Sequence, residues 1–256
     1  MVFLRSLIAL PALYFLALRF DGSLAVSPLE CGKMILLVGC GSGLTTILLY
    51  GSYAYIPVGI ATTLHFVYPL LVNLFCILFL REPFSLVKGI SLILGTGGIF
   101  LFTGDGGGLN PLGVALALLS GMCYAFYILY MSVSGLNRMG PFKLVFYSGI
   151  ITCVITGFFG IATGQLTFAL TPKAWVIAAI VSLAVCLGAF TCFQLGIRYT
   201  GPSTAAILST MEPITSVVIG WLVLNETWSL QKITGCIAIM SSVILVTTGQ
   251  INKIKK

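Results

Sequence analysis

The chain has 256 residues, of which 59% are hydrophobic and only 7% charged, and its formal net charge is +7. Soluble domains carry about 25% charged residues, so this composition cannot coat a water-facing surface and marks an integral membrane protein. The basic residues lie between apolar runs and form no patch, which excludes a nucleic-acid footprint.

A membrane span takes about 20 mostly apolar residues. Nine runs qualify, some of them short: 3–19, 34–52, 58–79, 84–104, 111–132, 142–164, 172–196, 202–224 and 228–249. The expected fold class is therefore all-α and polytopic. The first run, "MVFLRSLIALPALYFLAL", has a basic start and a later small-residue "SLAVS", so it also reads as a signal peptide. Between the later runs stand Pro57, "GDGGGLNP", "GLNRMGP" and "TGPS", all helix punctuation. The eight cysteines are scattered, mostly within apolar runs, with no CxxC pairing, so no metal site is expected.

Sliding the chain against itself by 144 positions pairs Tyr55 with Tyr199, Pro69 with Pro213, Glu82 with Glu226, Ser85 with Ser229 and Lys88 with Lys232. Leucine matches come cheaply in apolar sequence; proline, glutamate and lysine in register do not. This is an internal repeat. It divides the chain into a first repeat, 1–107, and a second, 108–256. The shift lays 142–164 over 3–19, which argues against the signal peptide, and predicts a partner for 111–132 before Met1. The whole architecture would then be ten helices, five plus five, with nine present here. An odd number of spans per repeat inserts the second copy opposite to the first. Lys and Arg on alternate connectors divide ten to three, which places the C-terminus in the cytoplasm.

Inverted repeats suit a transporter, whose two halves rock about a central site. Pro69 and Pro213 interrupt corresponding spans, and each kinks its helix and frees a carbonyl one turn earlier. A packing kink is the plainer reading of both. His65, the one histidine, stands a turn before Tyr68, while Ser209, Glu212 and Ser216 form one helical stripe. A mid-membrane carboxylate costs about 2.5–3.5 kcal/mol and should face the bundle interior or a water-filled cavity. Glu212 either satisfies the kinked backbone or binds substrate or a proton. His65 has the same two readings. Ser120, Tyr124 and Tyr127 line one helix face, and Tyr50 and Gln194 are repeat counterparts near span ends. Ser91/Gly235 and Gly98/Ser242 read as close-packing faces. Glu82 and Glu226 sit where a helix begins and stabilise its first turn.

The doubled pattern resembles the EamA-type drug/metabolite transporters. Its two copies are "ATTLHFVYPLLVNLFCILFLREPFSLVKGISLILGTGGI" and "AAILSTMEPITSVVIGWLVLNETWSLQKITGCIAIMSSVI", with the Glu212–Pro213 pair characteristic of the second. The resemblance implies ten helices in two inverted five-helix units, a central cavity, and export or exchange of small metabolites such as amino acids. It carries over to His65, Tyr68, Tyr124, Gln194, Ser209 and Glu212 as candidate substrate-binding residues. The expected partners are a small-molecule substrate and the lipid bilayer of the plasma membrane, with a homodimer allowed and no cofactor. A cationic drug or amine attracted by Glu212 is the second substrate reading, and a phosphate-sugar or nucleotide-sugar is disfavoured because no Lys or Arg stands at mid-span. A channel is a further reading. An intramembrane enzyme lacks support, with neither HExxH nor GxSxG in the chain.

Overall fold

The computed structural model describes residues 2–56, 58–81, 85–101, 110–164, 168–212 and 230–254. Pro213, Ser216, Glu82 and Glu226 lie outside the described residues. Among those described, the regular structure is helical, with no strand. The helices are α1 (Val2–Leu16), α2 (Pro28–Leu36), α3 (Leu44–Ser52), α4 (Val58–His65), α5 (Tyr68–Phe79), α6 (Leu86–Phe100), α7 (Pro111–Val133), α8 (Pro141–Ala162), α9 (Pro172–Leu183), α10 (Thr191–Thr200), α11 (Pro202–Leu208) and α12 (Leu230–Ile254).

Among the described residues five helices are long and apolar enough to cross a membrane: Val2–Asp21, Pro28–Ser52, Pro111–Val133, Pro141–Ala162 and Pro172–Thr200. Shorter apolar helices cover Tyr68–Phe79, Leu86–Gly98 and Ile233–Ser242. Large apolar side chains stand bare along them, Phe158 at 77% and Ile93 at 72% exposure, as a lipid-facing surface requires. The protein is a multi-pass integral membrane protein.

Proline opens five of these helices, at 28, 111, 141, 172 and 202, where its fixed φ suits the first turn and its missing N–H costs nothing. The span expected from 34 begins six residues earlier because its cap is polar, not apolar. Ser27 accepts the Glu30 N–H, and the Glu30 carboxylate accepts the Ser27 N–H at 2.8 Å, a capping box. The repeat mate of Ser27 is Thr171, whose hydroxyl likewise accepts the N–H three residues on, that of Ala174, ahead of Pro172 but without a reciprocal carboxylate. Both spans then loosen into a seven-residue π-helical stretch, Leu37–Gly43 and Ala184–Phe190. Two spans 144 residues apart thus share cap, proline and mid-span π stretch.

The chain forms two compact units, and neither coincides with a sequence repeat: 1–44 with 130–201, and 45–129 with 202–256. In the first unit Ala9, Leu13, Val145 and Cys186 form a buried core with Phe142, Phe146, Leu187 and Phe190 around it. Here α1 lies on its repeat mate α8. Phe3 packs on Gly157, Leu10 on Gly149, Tyr14 on Phe146 and Phe20 on Phe142. Numbers rise along one helix as they fall along the other, so the two run antiparallel. The connector before α2 is fastened to α8: Asp21 accepts the Lys143 backbone N–H at 2.7 Å, and Tyr147 donates to the Leu24 carbonyl at 2.7 Å. Arg5, counted with the connectors from sequence, lies inside α1 with its guanidinium 5.5 Å from the Phe190 ring centre.

In the second unit Ile56, Ala61 and Ala117 form a core with Leu49, Tyr53, Ile60 and Leu64. Here α6 packs on its own repeat mate, α12, through the small residues read as a packing face. Ser242 donates to the Ser91 carbonyl at 2.6 Å, and a Cβ on Gly98 would meet the Gly235 carbonyl at 2.8 Å. Ser91 pairs with Gly235 and Gly98 with Ser242 under the 144 shift, so the crossing is self-complementary and antiparallel. Gly98→Val should therefore cost about 1–3 kcal/mol by overpacking. A lowered thermal midpoint in detergent checks this.

Candidate functional site

The run at 58–79 is two helices, because Pro69 stands in the first turn of α5 and the helix breaks at Phe66–Val67. Proline has no N–H to offer the His65 carbonyl four residues earlier. That carbonyl faces α7 at Gly121, where a Cβ would stand only 2.7 Å from it. The freed backbone group is thus met by the one side chain small enough to let it in.

The break also turns the side chains inward. His65 is 8% exposed and its Nδ1 lies 2.9 Å from Ser120 Oγ. Ser120 gives its own hydroxyl proton to the Ala117 carbonyl at 2.6 Å, so towards His65 it accepts, and Nδ1 carries the proton. Around His65 the rings close up. Tyr68 and Tyr124 meet edge to face at 4.7 Å, His65 stands 5.4 Å from Tyr68 and 5.5 Å from Tyr124, and Tyr127 stacks on Tyr124 at 5.7 Å. Such edge-to-face and stacked pairs add about 0.5–1.5 kcal/mol each beyond burial.

From beyond α11 come Ser209 and Glu212. Tyr68 Oη lies 2.5 Å from Ser209 Oγ, and the hydroxyl of Ser209 donates to the Ala206 carbonyl at 2.7 Å, so the phenol is the donor between them. The Glu212 N–H donates to the Ser209 carbonyl at 3.0 Å. Its side chain is exposed, within electrostatic reach of the Tyr53, Tyr68 and Tyr124 phenols. Five of the six candidate residues, His65, Tyr68, Tyr124, Ser209 and Glu212, therefore share one unit. Gln194 belongs to the other, buried beside a small cavity lined also by Asn137 and Arg198, and its side-chain oxygen has no hydrogen-bond partner there. Among the described residues no cluster of His, Cys, Asp and Glu could hold a metal ion.

The EamA-like transporter family profile matches residues 1–104 and again 111–248. The chain belongs to the EamA-like transporter family. It is similar to an uncharacterized transporter, YvbV, of Bacillus subtilis, at 28% identity over 96% of this chain and 78% of that one. It is also similar to the threonine/homoserine exporter RhtA of Escherichia coli, at 28% identity over 75% of this chain and 63% of RhtA. A solved crystal structure of a protein aligns over 100% of this chain and 88% of its own, with a TM-score of 0.78 at 16% identity, which shows a shared fold. These relatives are named as transporters, not enzymes.

Two residues of this EamA-family protein's site escaped the sequence reading. Asn73 donates to the Pro69 carbonyl at 2.8 Å and accepts from Ser203 at 2.5 Å, which ties α5 to α11. An amide one turn after a mid-span proline was the available signal for Asn73; nothing signalled Ser203, 130 positions away. Asn73→Ala removes both bonds and leaves a buried Ser203 hydroxyl unmatched. A loss of about 1 kcal/mol is expected, read as a lower thermal midpoint and weakened transport at unchanged expression.

Proposed function

We propose that this protein is a carrier that moves small organic metabolites, amino acids first among them, out of the cell or in exchange across the plasma membrane by alternating access. One observation carries the reading: four polar or aromatic side chains, His65 of α4, Tyr68 of α5, Tyr124 of α7 and Ser209 just after α11, gather at a proline-broken helix with the Glu212 carboxylate within electrostatic reach of the two phenols. Such a break lines a cavity that must change shape, and a lone carboxylate among hydroxyls and rings is suited to an ammonium group. The named substrates of RhtA carry that group, which favours an amino acid over a solute without one.

The antiparallel packing of α1 on α8 and of α6 on α12 supports two repeats inserted in opposite senses, the arrangement that alternating access needs. The excess of Lys and Arg on one set of connectors supports a cytoplasmic C-terminus. The rings and Glu212 also favour a second reading, efflux of a cationic amine, because aromatic faces and one carboxylate bind a cation whether or not a carboxylate is attached to it.

The test is transport from purified protein in vesicles loaded with threonine, homoserine and other amino acids, choline as a quaternary amine, and a sugar. Loss of amino acids from protein-bearing vesicles alone supports the first reading. Loss of choline alone moves the protein to the second. Equal retention of every solute in vesicles with and without protein overturns both.

A further inference from the structure

When two copies of a unit meet about a twofold axis, every contact from residue i to the partner of j has a mate, from j to the partner of i. The crossing of α6 and α12 shows both mates at once, Ser91 against Ser242 and Gly98 against Gly235. At the site the rule is broken. Under the same 144 shift His65 corresponds to Ser209, and Tyr68 to Glu212. The observed hydrogen bond, Tyr68 to Ser209, therefore has a mate contact between Glu212 and His65. In this structure the Nδ1 of His65 is instead engaged with Ser120, and the Glu212 side chain is exposed.

The geometry points to an exchange of these two contacts: the state open to the opposite side of the membrane forms the His65–Glu212 hydrogen bond as Tyr68–Ser209 opens. This rests on the alternating-access reading, in which the two repeats trade conformations and so trade asymmetric contacts, while the symmetric α6–α12 crossing serves as the fixed axis. The contact also needs a proton. With Nδ1–H held by Ser120, neutral His65 offers only a lone pair on Nε2, and a carboxylate offers only lone pairs in return. One proton taken from solvent closes the bond, either as the acid donating to Nε2 or as imidazolium donating to carboxylate. The other titratable groups facing this pair are the phenols of Tyr53 before α4, Tyr68 on α5 and Tyr124 on α7. Glu212 and His65 thus become a proton site occupied in one access state and vacated in the other.

The chain has one histidine, so ¹⁵N-histidine labelling of tag-free protein in nanodiscs reports on His65 alone. Two exchanging imidazole signals are expected, one with only Nδ1 protonated and one with Nε2 also in a hydrogen bond to a carboxylate. Glu212→Gln should remove the second. One signal that Glu212→Gln leaves unmoved overturns the exchange. Cysteine pairs in a background without native cysteines give an independent reading. Tyr68→Cys with Ser209→Cys, and His65→Cys with Glu212→Cys, should each cross-link; all four together should give one bond or the other in each molecule, never both. Failure of the 65–212 pair to cross-link when the 68–209 pair does so in its own variant, or both bonds within one four-cysteine molecule, overturns the proposal. Each pair cross-linking in its own variant, and only one bond per four-cysteine molecule, in a protein that moves no solute would sink the transport reading and leave the exchange standing.

Discussion

Glu212→Gln is expected to lower solute flux by about 10-fold or more while the amount of folded protein in the membrane stays the same. A hydrogen bond to a charged group is worth about 1.5–3 kcal/mol, which is roughly 10- to 150-fold in rate or affinity, and glutamine keeps the shape while removing the charge. The carboxylate's own cost in a bilayer, about 2.5–3.5 kcal/mol, makes its neutral replacement no worse for folding. Its side chain lies within electrostatic reach of the Tyr53, Tyr68 and Tyr124 phenols, and the glutamine amide keeps a hydrogen-bonding group at the same place. Flux is measured in vesicles at matched protein density across a pH series. A variant that transports normally at every pH removes Glu212 from the mechanism.

Gly121→Val should damage the protein at a different point. The new Cβ would stand 2.7 Å from the His65 carbonyl and 2.9 Å from a Val67 methyl. The first neighbour is backbone and cannot swing aside, and it is the carbonyl that Pro69 leaves without a helical donor. Either α7 retreats or the α4–α5 break opens, and both disperse the ring cluster around His65. Overpacking of this kind costs about 1–3 kcal/mol, so the thermal midpoint should fall by several degrees and transport with it. Gly97→Val is the control, since a Cβ there meets nothing within 4 Å, and its effect should stay within about 0.5 kcal/mol.

What the sequence disclosed follows from which forces are local. Helix starts were legible at Pro111, Pro141, Pro172 and Pro202, which act on their own turns, whereas the start at Pro28 was missed because its first turn is polar. The break at Phe66–Val67 was legible for the same reason, from Pro69. That α6 and α12 carry close-packing faces was legible, because close packing demands small side chains and Ser91, Gly98, Gly235 and Ser242 stand in register; that the two faces meet each other was not. The partners of polar groups were not. Ser120 for His65, Ser209 for Tyr68 and Ser203 for Asn73 are chosen by tertiary neighbours 55, 141 and 130 residues away, and a serine carries no mark of its partner. The π stretches left no composition signal either. Gln194 was nominated with the other five by resemblance, yet its surroundings are those of the other unit, where Asn137 and Arg198 are its neighbours.

The most direct measurement is counterflow. Vesicles preloaded with unlabelled threonine are placed in trace labelled threonine, with a parallel set using choline. A carrier that turns a solute-bound site from one face to the other must draw label inward transiently, against its equilibrium, and the rate must saturate as solute rises. That overshoot, lost in Glu212→Gln, is the predicted result. Label that enters in simple proportion to its concentration, with no effect of solute on the far side, contradicts a carrier and leaves an open pore.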